Sequence, residues 1–183
     1  VVAITGETFP ELETLAGDPA AAERELREAI RLAVEMGASR YVALYRVQTA
    51  HALIAQGRYE DAAGELDQAA DPYGEAVTWK SARARVLAAR GETEAAATLA
   101  SEAAEEMAGS DDLTTSAETL IDLAEVRRAA GDDRGAASAL AEAIALHEEK
   151  GNVVAAARCR ARLSDLGSDR EPQQRALDGE TPH

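Results

Sequence analysis

Residues 55–70 read AQGRYEDAAGELDQAA, and this stretch decides the fold. It sets a glycine, Gly57, ahead of alanines and a leucine spaced as on one helix face. The same arrangement returns around three other glycines, in AGDPAAAERELREAI at Gly17, RGETEAAATLASEAA at Gly91 and AGDDRGAASALAEAI at Gly131. Five residues after each glycine stands Ala22, Ala62, Ala96 or Ala136. Nine after stands Leu26, Leu66, Ala100 or Leu140, and twelve after stands Ala29, Ala69, Ala103 or Ala143. The glycines are 40, 34 and 40 residues apart. A period of this length is the mark of a stacked repeat.

Each position has a physical reading. The glycine takes the left-handed conformation that ends one helix without a Cβ clash. An acidic or proline-containing turn then opens the next helix, where negative charge suits the helix dipole. The alanines at plus five and plus twelve let the preceding helix approach closely, and the leucine at plus nine fills the groove beside them. Tyr59 covers the turn. Each unit is a helix–turn–helix that cannot bury its own apolar face and must stack on its neighbours.

The pattern, best developed in GRYEDAAGELDQAADP with its Gly, Tyr, Ala, Ala and closing Pro72, resembles the tetratricopeptide repeat (TPR). The resemblance implies an all-α fold, a right-handed superhelical solenoid of stacked antiparallel helix pairs. The first helix of each pair departs from the family, its usual large–Leu–Gly pattern blurred, with Ala50, Ala84 and Ala124 where a small residue is expected. The 40-residue spacings imply longer helices or loops than the 34-residue standard. Residues 14–166 also resemble the C-terminal helical repeats of large actinobacterial regulators, which join a nucleotide-cyclase or transcriptional-activator segment and a regulatory ATPase to such a tail. GNVV at 151–154 is the most particular point of likeness. That resemblance implies signalling or scaffolding rather than chemistry in this part of the chain.

Composition agrees with thin layers of helices. Of 183 residues 46% are hydrophobic, much of that alanine, and only 3% are aromatic. Alanine favours the helix and fills little volume. Strand-like runs are confined to VVAIT at the start. Helices are expected at 19–36, 39–56, 59–70, 74–89, 92–108, 113–130, 132–149 and 152–166, after a short partial helix near Phe9–Leu15. The chain divides into an incomplete N-terminal segment (1–18), a repeat domain (19–166) and a polar, flexible tail (167–183). Val1 is not an initiator methionine, so a longer protein is expected.

The charge narrows the function. Acidic residues outnumber basic ones 34 to 19, a net charge of −15, and such a surface repels phosphate backbones. Nucleic acid is not an expected partner. No run of 18 apolar residues and no signal peptide is seen, so no membrane partner is expected either. The single Cys159 cannot form an internal disulfide and suits a reducing, cytoplasmic setting.

Catalytic groups do not converge. Gly6 in AITGETF is not followed by the Gly-Lys-Ser/Thr of a phosphate loop. His51, His147 and His183 are scattered, with no metal-ligand spacing to Cys159 or a carboxylate. GDDRG and GSDDL lack the alternating acids of a calcium loop, and Asp132–Asp133 and Ser110–Asp112 serve as helix caps and first-turn acids instead. No catalytic residue, cofactor or metal is assigned. Trp79 is read as packing between repeats and Cys159 as a small buried hydrophobe. The last helix carries Arg158, Arg160 and Arg162, a strip for self-association or for pairing with glutamates of the preceding helix such as Glu142.

The candidate binding surface is the inner groove lined by the first helix of each pair. Counting back from the glycines places His51, Arg85 and Glu125 on it, with Val47, Ser81 and Ile121 a turn away and Ile54 and Arg128 extending the row. Exposed Val47, Ile54 and Ile121 beside His51 and Arg85 suit an extended peptide or helix. A free Arg85 there would grip a carboxylate, and reversing it to Glu would leave the melting temperature nearly unchanged. The negative field favours a basic partner held by Glu118 and Glu125 instead. The reading is a non-catalytic protein–protein interaction and scaffolding module, probed against two alternatives: a peptide- or small-effector-sensing domain, and the accessory region of an enzyme whose active site lies upstream.

Overall fold

The computed structural model describes residues 18–73 and 76–178. Among them are eight α-helices and no strand: α1 (Pro19–Glu35), α2 (Ser39–Ala55), α3 (Tyr59–Tyr73), α4 (Val77–Ala89), α5 (Thr93–Met107), α6 (Leu113–Ala129), α7 (Asp133–Glu149) and α8 (Val153–Asp178). Each helix packs on the next in the chain, and the first helices of successive pairs also meet, α2 on α4 and α4 on α6. No comparable contact joins α3 to α5 or α5 to α7. Helices α2, α4 and α6 therefore form one continuous inner layer, with the second helices outside it.

The turns follow from the glycines. Gly57, Gly91 and Gly131 have φ of 75°, 80° and 80°, the left-handed values that end α2, α4 and α6. Gly37 and Gly151 do the same for α1 and α7. At all five, the residue after the glycine donates its N–H back over the turn: Ala38 to Ala33, Arg58 to Leu53, Glu92 to Leu87, Asp132 to Arg127 and Asn152 to His147, at 2.8–3.0 Å. The expected caps are in place, Asp112 accepting from the Thr115 N–H at 3.1 Å and Asp132 from the Gly135 N–H at 2.8 Å.

The repeat positions form the core. Ala22, Ala62, Ala96 and Ala136 are fully buried, and so in effect are Leu26, Leu66, Ala100 and Leu140 at plus nine. Three clusters follow one another along the stack, around Leu26 and Tyr45, around Leu53 and Leu66, and around Val126 and Leu140. Trp79 packs against the middle cluster and donates its indole N–H to the Leu66 carbonyl at 2.9 Å, as the packing reading requires. Cys159 is buried, and burial pushes its thiol up against the pull of Arg162 and Arg160.

Three boundaries differ from the sequence expectation by more than one residue. Helix α3 runs to Tyr73, past Pro72, whose fixed φ is helical and which forfeits a single backbone bond in the last turn. Helix α4 begins at Val77 rather than 74. Helix α8, expected to stop at 166 before a flexible tail, continues to Asp178, although Pro172 removes a backbone donor from its interior. Gly17 and the partial helix near Phe9–Leu15 lie outside the described residues.

Candidate functional site

One buried carboxylate organises the inner layer. Asp122, on α6, is only 7% exposed. It accepts from the Ser81 hydroxyl at 2.6 Å and from Arg85 Nη1 at 2.7 Å, both on α4. His51 of α2 brings Nδ1 to 3.8 Å from the same carboxylate, while its Nε2 lies 3.2 Å from the Thr78 carbonyl. Burial alone would raise the Asp122 pKa, yet the charges of Arg85 and His51 and the Ser81 hydroxyl hold it below the usual carboxylate range. Burial likewise works against the charge on Arg85, but Asp122 more than offsets it and raises its pKa. The cluster pins three successive first helices together.

This geometry sorts the sequence-derived site residues. His51, Ser81 and Arg85 do come together, but through Asp122, which that reading missed. Arg85 is not free for a partner's carboxylate: its side chain is 19% exposed and already engaged. Its reversal to Glu would set two carboxylates side by side, so an unchanged melting temperature is no longer expected. Val47 and Ile54, expected on the groove surface, are buried in the middle cluster, because α2 is flanked by α1, α3 and α4. Ile121 is half-buried against the cluster of α6 and α7. Glu125 and Arg128 are paired at 3.2 Å, the arginine largely exposed. Ser81, His51 and Asp122 are the residue types of a hydrolytic triad, but the hydroxyl is buried and donates to the carboxylate rather than to the imidazole, so no base activates it.

A second carboxylate clasps the first units. Glu23 of α1 accepts from Gln56 Nε2 at 2.9 Å, from Arg27 Nη2 at 2.8 Å and from Arg58 Nη1 at 2.7 Å. Burial works to raise its pKa, and these three donors bring it below the usual value. Nearby, a depression of about 350 Å³ is lined by Gly57, Arg58, Tyr59, Glu60, Asp61, Ala89 and Arg90. Its charges close on one another or on Glu23, Arg90 with Glu60 and Arg58 with Asp61. On α8, Arg160 pairs with Glu148, a glutamate of the preceding helix as the sequence reading allowed, though not Glu142 itself.

His147 is a different kind of exception. It is 3% exposed, and neither ring nitrogen has a hydrogen-bond partner. Burial first, and Lys150 second, hold its pKa below the ordinary histidine value. Sixteen residues after the repeat glycine, its place is taken by Ala33 and Met107 in other units. A depressed folded pKa gives stability that is complete above the unfolded value, about 6.5, and is lost as pH falls toward the folded one, because only the unfolded chain then takes up the proton. Urea unfolding at several pH values should therefore show the parent losing stability below that point faster than His147→Met. At neutral pH the variant should be as stable or more so, having shed two unsatisfied buried nitrogens.

No family model and no curated protein matches the chain. Solved structures do. The nearly identical TPR-like repeats of a kinesin light chain-like protein from Podosopora anserina superpose with a TM-score of 0.54 at 15% identity, covering 95% of this chain and 90% of theirs. A single-residue variant of that protein gives 0.55, also at 15% identity, covering 96% and 91%. BtubC (BKLC) from P. vanneervenii gives 0.53 at 19% identity, covering 97% of this chain and 82% of that one. At such identities the likeness speaks for the fold, and the fold is that of a TPR-like helical-repeat solenoid.

Proposed function

We propose that the chain is a non-catalytic protein-interaction and scaffolding module whose inner layer receives an extended or helical segment of a partner. The observation that carries this reading is the continuous row of first helices, α2, α4 and α6, in a TPR-like stack. Such solenoids offer long surfaces rather than enclosed pockets. Because Asp122 engages Arg85, the charged candidates that remain for the inner face are Glu118, Glu125 and Arg128 of α6. With a net charge of −15 behind them, a basic segment is the favoured ligand. The setting proposed is a cytoplasmic bacterial signalling or transcriptional regulator. Among the described residues no helix is long and apolar enough to cross a membrane. The basic last helix adds a second surface, suited to self-association.

Calorimetric titration of lysine-rich and glutamate-rich peptides into the purified chain tests the groove. Lysine-rich peptides should bind more tightly, and Glu125→Arg should weaken them by about tenfold. Equal affinity for both classes, or none for either, would dismiss the proposal.

A further inference from the structure

The buried stripe of α7 runs through Ala136, Leu140, Ala143 and His147. The first three join the apolar cluster that also takes in Cys159 and Leu166 of α8. The fourth sets an imidazole with two unpartnered nitrogens at the end of that stripe. Its backbone belongs to the joint itself. The His147 carbonyl accepts the Asn152 N–H at 2.8 Å, and the Asn152 side chain in turn caps α8 by accepting from the Ala155 N–H at 3.1 Å. A titratable ring is thus built into the turn by which α8 closes on α7. The matching places in α1 and α5 hold the apolar side chains of Ala33 and Met107.

No counter-charge meets this ring among the described residues. Helix α7 packs on α6 and α8. From α6 the titratable group at this end is Asp112, which feels Lys150 but is turned to the Thr115 N–H and hydroxyl of its own helix. From α8 come Cys159, Arg160 and Arg162, the thiol buried and Arg160 paired with Glu148. The charge that bears on the imidazole is Lys150, itself bonded to Thr114 of α6, and its sign opposes a proton there. In the closed joint an imidazolium would be buried, unpaired and beside a like charge. In an opened joint water solvates it.

We propose that His147 makes the α7–α8 joint an acid-responsive hinge, in which protonation swings α8 away from α7 and uncovers Cys159 and Leu166 while α2, α3 and α4 stay packed. Each unit of a solenoid rests mainly on its neighbours, so one joint can part without unfolding those further along. The hinge is independent of what the groove binds. Cys159 is the single cysteine of the chain, so a thiol reagent reads this joint specifically. The test is the rate at which 4,4′-dithiodipyridine labels Cys159 in the parent and in His147→Met, followed from neutral to mildly acidic pH. The ratio of the two rates removes the pH dependence of the thiol itself. Opening takes up a proton that the closed joint refuses, so the ratio should climb about tenfold for each pH unit below the exposed imidazole's value of about 6.5. Labelling of the parent in acid should also be nearly insensitive to dilute urea, because a parted joint exposes far less surface than an unfolded chain. His147→Ala, which copies Ala33 of α1, is the second reference should methionine fit poorly. A ratio that stays flat with pH against both variants overturns the hinge. So does labelling in acid that depends on urea as steeply as global unfolding does, since acid would then be acting on the whole stack.

Discussion

Arg85→Ala is expected to lower the unfolding free energy by about 3–5 kcal/mol, the cost of leaving a buried charge without its partner. Asp122 is the charge left behind, nearly out of reach of water between α4 and α6. Ser81 and His51 remain beside it, but a hydroxyl and an imidazole at 3.8 Å replace little of what the guanidinium supplies. Arg85→Glu should be worse still, since it adds a second carboxylate. Converting both partners, Arg85→Met with Asp122→Leu, should recover most of the loss because the buried charge disappears with its counterion. Urea unfolding of the two single variants and the double variant measures this directly. An Arg85→Ala variant within about 1 kcal/mol of the parent would show the ion pair to behave as an exposed one.

Leu66→Ala should cost about 2–5 kcal/mol, through lost burial and the cavity left behind. The neighbours of Leu66 in its cluster include Ala62, Ala63, Ala69 and Ala82, whose methyl groups are too short to swing into the space. The loss should therefore fall toward the upper end of that range. It should also be local, since each unit of a solenoid rests mainly on its neighbours. Hydrogen exchange should quicken in α2, α3 and α4 and change least in α7 and α8. Uniform acceleration from end to end would mean that the stack unfolds as one block.

The helices, their caps and the core positions were legible because each is written locally. A glycine ends a helix, an aspartate starts one, and alanine and leucine at fixed offsets close the contact between them. Asp122 could not be found that way. Aligned on the repeat, its place is held by Gln48 in α2 and Ala82 in α4, so no recurrence marks it. The one signal was an acid inside the otherwise apolar LIDLA, which reads as burial and hence as a need for partners. Val47 and Ile54 were misplaced for a related reason. Counting back along a helix gives a face, but a first helix flanked on three sides has little face left to offer, and apolar side chains there belong to the core. His147 escaped notice because histidine in a last turn is ordinarily a favourable capping cation, and only the packed structure shows that its ring is shut in.

Five turns close with the same backbone bond over a left-handed glycine, so five of the joints between helices are alike. What distinguishes them mechanically is the pin at Asp122, which ties the inner edges of α2, α4 and α6, while among the described residues α3, α5 and α7 make no comparable contact with one another. Under tension applied along its length, such a body acts as a one-sided spring. It flexes by spreading its outer helices and resists opening along the inner seam. Helices α1 and α8 both lie beyond the reach of the pin and are held by their packing on α2 and α7.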